Sequence, residues 1–365
     1  RYFTDPQALL DSLNHFVERF NAYWAGQRVP SHFRADANET LLASCIRQGI
    51  GLPDGCKDGA CGSCKCKKLE GTVVHGAHQS KALSEEEEAQ GLILTCCATA
   101  QSDVVLESRQ VTEAGAFPIK KMPVRVASLV KKSDDVMVIQ LQLPANDVMK
   151  FHAGQYIEFM LRDGSRRSYS MANAPHTLEA AAPKVELHIR HMPGGKFTDP
   201  VLTTMKEKDI LRAEGPFGSF FLREDSDKPM VLLASGTGFA PIKALIEHMQ
   251  HKGITRPATL YWGGRRPSDL YMSDWVEAQL ASMPQLRYVP VVSNATPEDA
   301  WTGRTGFVHQ AVLQDHPDLS GFQVYACGAP IVVDSAKRDY VGLGGLPEEE
   351  FYADSFTSEA DKATS

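Results

Sequence analysis

Apolar residues recur at helical spacing near the start of the chain. Leu9, Leu10, Leu13, Phe16, Val17 and Phe20 fall on one face of DPQALLDSLNHFVERFNAYW, residues 5–24. Asp5 is placed to cap this segment, and Pro6 suits its first turn. The stripe predicts one amphipathic helix packed on another surface, and a membrane-surface helix would carry more Lys and Arg. A cysteine-bearing stretch follows and ends in the strand-like DVVLES, residues 103–108. TEAGAFPIKKMP then lacks periodicity and reads as a linker. Beyond it, VRVASLV, VMVIQLQL, QYIEFML, RRSYSMA and VELHIRH are short strands set apart by turn residues, which predicts an antiparallel barrel. The pattern changes again at MVLLA, a buried-type strand followed by the helical IKALIEHMQHKG and by ATLYWGG, RYVPVV and FQVYACG. Strands alternating with helices predict a parallel sheet covered on both faces. The expected division is a helical extension at 1–32, a cysteine domain at 33–112, a linker at 113–121, a barrel at 122–225, an α/β domain at 226–357 and a tail at 358–365.

Composition narrows the class. The 365 residues suffice for two or three domains, and 43% apolar with 23% charged residues is ordinary for a protein with buried cores. A net charge of −7 argues against a nucleic-acid partner, which needs clustered Lys and Arg. No run reaches the length of a membrane span, and RYFTDPQALL has no basic region followed by an apolar core. A cytoplasmic, reducing setting is therefore expected, in which clustered cysteines bind metal or do redox chemistry more often than they form disulfides. The acidic run Glu85–Glu88 reads as a solvated helix start.

The densest chemistry is CKDGACGSCKC at 56–66, with four cysteines in eleven positions. Cys56, Cys61 and Cys64 are spaced C-x4-C-x2-C, and LILTCCAT offers a fourth thiol, Cys96, with 31 residues intervening after Cys64. That is the plant-type [2Fe–2S] spacing. One loop has to wrap two irons, and Gly55, Gly59 and Gly62 allow it to aim backbone N–H groups at the sulfurs. A zinc knuckle is the alternative, but Cys64-x-Cys66 is too tight for one. Cys66 then leaves the loop on a strand. Neighbours on a strand face opposite sides, so only one of Cys96 and Cys97 is expected to reach the cluster. Cys45, in TLLASCIRQG, reads as a buried apolar residue.

Two further signals concern nucleotides. SGTGFAP at 235–241 follows a strand and opens a helix, so that Gly236 and Gly238 allow backbone amides to approach a pyrophosphate, with Pro241 in place of a third glycine. CGAP at 327–330 closes another strand, where ligands of open α/β sheets gather. On a barrel strand, RSYS at 167–170 offers an Arg to clamp a pyrophosphate, a ring to lie on a flavin and a hydroxyl for a flavin nitrogen, and PGGKFTD adds a Gly-bearing turn. The histidines, among them His188, His191 and His309, read as packing or surface residues.

In this order, CKDGACGSCK, GLILTCC, AGQYIEF, RRSYSMANAP, EGPFGSFF, GTGFAP, WTGRTGFVHQAVL, VYACGAP and FYADSF resemble the ferredoxin–NADP reductase superfamily. More narrowly, the chain resembles its iron–sulfur flavoprotein reductases with an N-terminal plant-type ferredoxin domain, including those that supply electrons to a deoxysugar dehydrase. The resemblance covers roughly 33–357. It implies a multidomain α+β and α/β fold: a β-grasp [2Fe–2S] domain, an antiparallel FAD-binding barrel and a doubly wound NAD(P)-binding domain. It implies Cys56, Cys61, Cys64 and Cys96 as cluster ligands. Arg167, Tyr169 and Ser170 take the pyrophosphate-clamping, ring-stacking and flavin-N5 roles, with Gly195 and Thr198 near the FAD pyrophosphate. Gly236, Thr237, Gly238 and Pro241 would serve the pyridine nucleotide, with Cys327 and Gly328 beside the nicotinamide. Phe356 resembles the ring that covers the flavin until nicotinamide displaces it. Hydride from NAD(P)H would pass to FAD, then singly to the cluster and on to a protein acceptor, either a dehydrase or the oxygenase component of a ring-hydroxylating or similar system. No general acid or base is implied. A non-enzymatic metal scaffold with a degenerate nucleotide domain is the contrasting class.

Two departures stand out. The family's ferredoxin domain begins with a β-hairpin, where residues 1–32 read as a helix and AYWAGQRVPSHF makes a poor hairpin. YWGG is followed by Arg265 and Arg266 with no adjacent acid for a ribose 2′-OH, which on charge grounds would favour NADPH. Relatives with arginines there also use NADH, and NADH is the expectation.

Overall fold

The computed structural model describes residues 32–36, 38–48, 50–108, 112–113 and 117–356. The helix expected at 5–24, the first hairpin and the tail at 358–365 lie outside them.

The cysteine domain is built from small pieces. Helix Leu41–Arg47 is capped by Thr40, whose side chain accepts from the Ala43 N–H. It buries Leu41, Leu42 and Cys45, the last as expected from its apolar surroundings. Strand Lys65–Glu70 is the centre of a three-stranded antiparallel sheet between Leu92–Leu94 and Val105–Glu107. The acidic run is a helix, Glu85–Ala89, with a capping box between Ser84 and Glu87. Leu42, Leu52, Leu83, Leu94 and the thiols of Cys64, Cys96 and Cys97 pack into one core.

The barrel is a six-stranded antiparallel sheet in the order Arg166–Ser170, Tyr156–Met160, Ile210–Phe217, Lys120–Lys131, Val136–Gln142, Lys184–Arg190. Lys120 and Lys121 are already in a strand, paired with Gly215 and Glu214. Period-2 burial puts Met122, Val124 and Val126 inward, where they meet Ile139, Leu141, Phe159, Val185 and Leu187.

The last domain is a parallel sheet in the order Arg304–Thr305, Leu286–Val292, Ala258–Gly264, Met230–Ser235, Gln323–Gly328, Phe351–Ser355. Its central strands are buried along nearly their whole length, because helices cover both faces. The chain grows outward on one side of Met230–Ser235 and resumes on the other with Gln323–Gly328. That is a topological switch point, and the SGTGFAP and CGAP turns both open onto it. Helix Phe239–Lys252 ends at Gly253 in the left-handed conformation, φ 64°.

The two large domains are stitched by buried polar groups. Lys243, 4% exposed, donates to the Ala172 carbonyl at 3.2 Å and to Glu247 at 2.5 Å, and pairs with Glu186 at 3.2 Å. Glu247 in turn accepts from the Ala174 N–H at 2.8 Å. Such a network offsets the cost of burying the Lys243 side chain by surrounding it with hydrogen-bond acceptors. Among the described residues, no helix is long and apolar enough to cross a membrane.

Candidate functional site

The barrel, the switch point and the cysteine loop meet around one cavity of about 1260 Å³. Arg167, Tyr169 and Ser170 line it from the barrel, and Gly195 and Thr198 from the PGGKFTD turn. Gly236 and Thr237 line it from the switch point, and Phe356 from the end of the last strand. Gly55 and Cys56 reach it from the cysteine domain. Gly238, Pro241, Cys327 and Gly328 are not part of the lining, although their neighbours Thr237, Ala240 and Ala329 are. A Cβ on Gly238 would meet the Cys327 carbonyl oxygen at 2.2 Å, so the two turns touch backbone to backbone. Gly328, φ 132°, lies as close to Ser235. The Phe356 N–H donates to the Gly328 carbonyl at 2.9 Å, which ties the terminal aromatic to the CGAP turn.

The tyrosine is held before any ligand arrives. Tyr169 packs against Phe197, ring centroids 5.2 Å apart, and against Phe159 at 5.9 Å. Ser170 is buried, and its Oγ donates to Asp354 Oδ2 at 3.0 Å. Burial pushes the Asp354 carboxyl up to about 7, and the Ser170 hydrogen bond works against that rise. Burial likewise pushes the Cys327 thiol well above its usual range.

Four cavity residues escaped the sequence reading. Asp354 sits inside FYADSF but carries no spacing signal, and parallel pairing of its strand with Gln323–Gly328, in which Asp354 lies opposite Cys327, brings it to the site. Arg190 lies over Gly236, its guanidinium 3.4 Å from where a Cβ would stand, and bonds Asp269 at 3.2 Å. Asp269 accepts from the Arg265 and Arg266 N–H groups at 2.7 and 3.1 Å. An acid is thus present beyond YWGG, but four residues after Arg265 and already engaged. His188, read as packing, is buried between Tyr271 at 2.8 Å and Glu186 at 3.0 Å and also lines the cavity.

The cysteine loop aims amides at sulfur. The Ala60 and Cys61 N–H groups donate to Cys56 Sγ, both at 3.3 Å, and the Cys56 and Ser63 N–H groups donate to Cys61 Sγ at 3.4 and 3.5 Å. Gly59 and Gly62 adopt positive φ, 79° and 74°, as the wrap requires. Cys64 Sγ and Cys96 Sγ stand 3.2 Å apart. Among the described residues no disulfide forms, and no three or more His, Cys, Asp or Glu side chains gather as a site for a metal ion. The loop thiols lie in pairs instead. Amide-cradled thiols around a glycine-rich loop are the donor set an iron–sulfur cluster uses.

The strand argument for Cys96 and Cys97 is corrected here. Both residues occupy the turn between strands Leu92–Leu94 and Ala98–Ala100, so alternation does not separate them. Cys97 Sγ lies 3.5 Å from Cys96 Sγ and against Gly59. Cys66 points into the core from its strand, paired with Ile93. Serine at position 66 or 97 should leave the cluster's absorbance intact, and loss of the iron–sulfur absorbance in either variant, with the flavin spectrum retained, would show the ligand set to be misassigned.

Three family models match the chain in succession. A 2Fe-2S iron-sulfur cluster binding domain matches residues 25–101. An oxidoreductase FAD-binding domain matches 123–222, and an oxidoreductase NAD-binding domain matches 232–338. The CDP-6-deoxy-L-threo-D-glycero-4-hexulose-3-dehydrase reductase of Yersinia pseudotuberculosis is 40% identical over 324 residues, 89% of this chain and 95% of that protein. Terephthalate 1,2-dioxygenase reductase component 1 of Comamonas is 33% identical over 89% of this chain and 94% of its own length. The crystal structure of the Amycolatopsis cytochrome P450 reductase GcoB superposes with a TM-score of 0.73 at 31% identity, covering 89% of this chain and 96% of that one. With the three domain models matched in order along the chain and a relative 40% identical over 89% of it, the chain belongs to the iron–sulfur flavoprotein reductases of the ferredoxin–NADP reductase superfamily.

Proposed function

We propose that this reductase takes electrons from NADH and delivers them to the dehydrase of CDP-3,6-dideoxysugar synthesis, as a CDP-6-deoxy-Δ3,4-glucoseen reductase does. The observation that carries the electron path is the single cavity, which takes walls from the barrel, the switch point and Cys56 together. When bound, the nicotinamide and the flavin would supply hydride chemistry and the cluster one-electron chemistry that no side chain of the protein provides. The chain positions and tunes. Arg167 and the turn at Gly195 and Thr198 would hold the FAD pyrophosphate, Tyr169 would support the ring and Ser170 would set its hydroxyl beside the flavin's reacting edge. Asp354, protonated or ionised near neutral pH, holds the far end of that hydroxyl. The GTG turn presents amides to the pyridine nucleotide, and Phe356 excludes water from the flavin face. Cys56, Cys61, Cys64 and Cys96 hold the cluster.

Arg266 supports NADH over NADPH. It is bound by Asp299 at 2.7 Å and Thr296 at 3.0 Å, which leaves Arg265 without its neighbour to meet a 2′-phosphate. Purified protein should be yellow-brown, bleach with NADH and reduce cytochrome c, with kcat/KM for NADH about tenfold or more above that for NADPH. A colourless protein after anaerobic reconstitution with iron, sulfide and FAD would overturn the reading. The acceptor is tested by mixing the NADH-reduced protein with a CDP-6-deoxyhexulose 3-dehydrase. Reoxidation by a ring-hydroxylating oxygenase alone would favour the oxygenase reading, which the relative from Comamonas supports.

A further inference from the structure

Lys57, next to Cys56, is the point where the cysteine loop is fastened to the barrel. Its Nζ stands 3.4 Å from the centroid of the Phe217 ring and 5.1 Å from that of Tyr156. The same ammonium pairs with Glu158 Oε1 at 3.3 Å. Phe217 and Tyr156 belong to adjacent barrel strands, with centroids 5.8 Å apart, and Glu158 is two residues beyond Tyr156. A cation held over aromatic faces and against a carboxylate that is 9% exposed is worth more than a surface pair, since water screens neither contact well.

The neighbouring contacts run the same way. Tyr156 Oη donates to the Gly55 carbonyl at 3.3 Å and to Asp54 Oδ2 at 3.4 Å, and the Asp54 N–H donates to Ser219 Oγ at 3.3 Å. Lys57 itself has φ 62°, a left-handed conformation that disfavours a residue with a Cβ. A glycine would sit there more easily, so the backbone conformation is tolerated for what the side chain reaches. The opposite end of Glu158 is fixed too: Oε2 accepts from Arg166 at 2.8 Å, and Arg166 also pairs with Glu214 at 2.6 Å.

We propose that Lys57 is a positioning residue for flavin-to-cluster electron transfer, holding the Cys56 side of the loop on the barrel wall through Phe217, Tyr156 and Glu158. This rests on the reading that Cys56 binds the cluster and that FAD fills the cavity Cys56 lines. By holding the loop on the barrel the side chain sets the gap between the two groups, and electron transfer depends steeply on that gap.

The test uses the full holoprotein and stopped-flow mixing with NADH, which separates bleaching of the flavin from the later bleaching of the cluster. Lys57→Met, matched in length without the charge, should leave the first phase at the wild-type rate and slow the second by on the order of tenfold. Lys57→Arg, which can stack on the same rings, should keep most of the second-phase rate. Deuterium uptake by the backbone of residues 53–58 should rise in the methionine variant and not in the arginine variant. Unchanged second phase and unchanged uptake in a Lys57→Met protein with an intact cluster spectrum would overturn the proposal. If Lys57→Met loses its cluster, Glu158→Gln decides from the barrel side: a slowed second phase with the cluster retained supports the fastening, and a wild-type one overturns it. Absence of any cluster spectrum in the unmutated protein would instead sink the functional reading.

Discussion

Replacing Cys61 by serine is expected to remove the iron–sulfur absorbance while leaving reduction of the flavin by NADH at its wild-type rate. Cys61 Sγ is the acceptor for two backbone amides, and its partner Cys56 takes two more, so the loop is organised around these sulfurs. A serine oxygen is a hard, weakly acidic ligand where soft thiolate is needed. Cytochrome c reduction should fall by on the order of a hundredfold or more, because the one-electron exit is gone. A two-electron oxidant that draws directly on flavin should be reduced as before. Iron analysis and the visible spectrum check the first half, and steady-state assays with both acceptors check the second. Full iron content in the serine variant would refute the ligand assignment.

Removing the hydroxyl of Ser170 is expected to lower the rate of hydride transfer by on the order of a hundredfold with FAD still bound, the usual cost of losing one polar group placed at a reacting atom. Ser170 is the last residue of its strand, paired with Tyr156, and the strand fixes its direction without help from a ligand. Stopped-flow reduction of Ser170→Ala by NADH measures the effect. An unchanged rate would remove Ser170 from the reaction. Its partner Asp354 adds a pH signature. The carboxyl is raised from 3.8 to about 7 by burial, so between those values the folded state holds a proton that the unfolded chain has released. Stability from this group is therefore lost as pH rises through the window. Asp354→Asn, which cannot ionise, should melt higher than wild type at pH 8, by on the order of a few kcal/mol in stability, and match it near pH 4.

Local pattern disclosed the cysteine loop, the GTG turn and the RSYS strand, because in each the chemistry is carried by neighbours in the chain. The spacing of Cys56, Cys61 and Cys64 alone restricts the loop, and strand periodicity alone separates the barrel from the parallel sheet. What stayed hidden depends on separation. Asp354 and Ser170 are 184 positions apart, and Lys57 and Glu158 are 101 apart. No window of sequence holds both members of either pair. Cys96 and Cys97 failed for another reason: period-2 reasoning presumes a strand, and these two sit in the turn after it. Asp269 was missed because it does its work through backbone N–H groups rather than from the position next to the glycines where an acid is normally sought.

The Lys243 network bears on how the molecule can be divided. Its ammonium is supplied by the nicotinamide sheet's first helix, and two of its acceptors, Ala172 and Glu186, by the barrel. Cutting the chain between the two would leave the Lys243 ammonium without its barrel acceptors on one fragment and Glu186 without that cation on the other. The flavin lobe and the nicotinamide lobe are two domains by topology that share one polar junction, so a domain swap among relatives has to carry both of its sides.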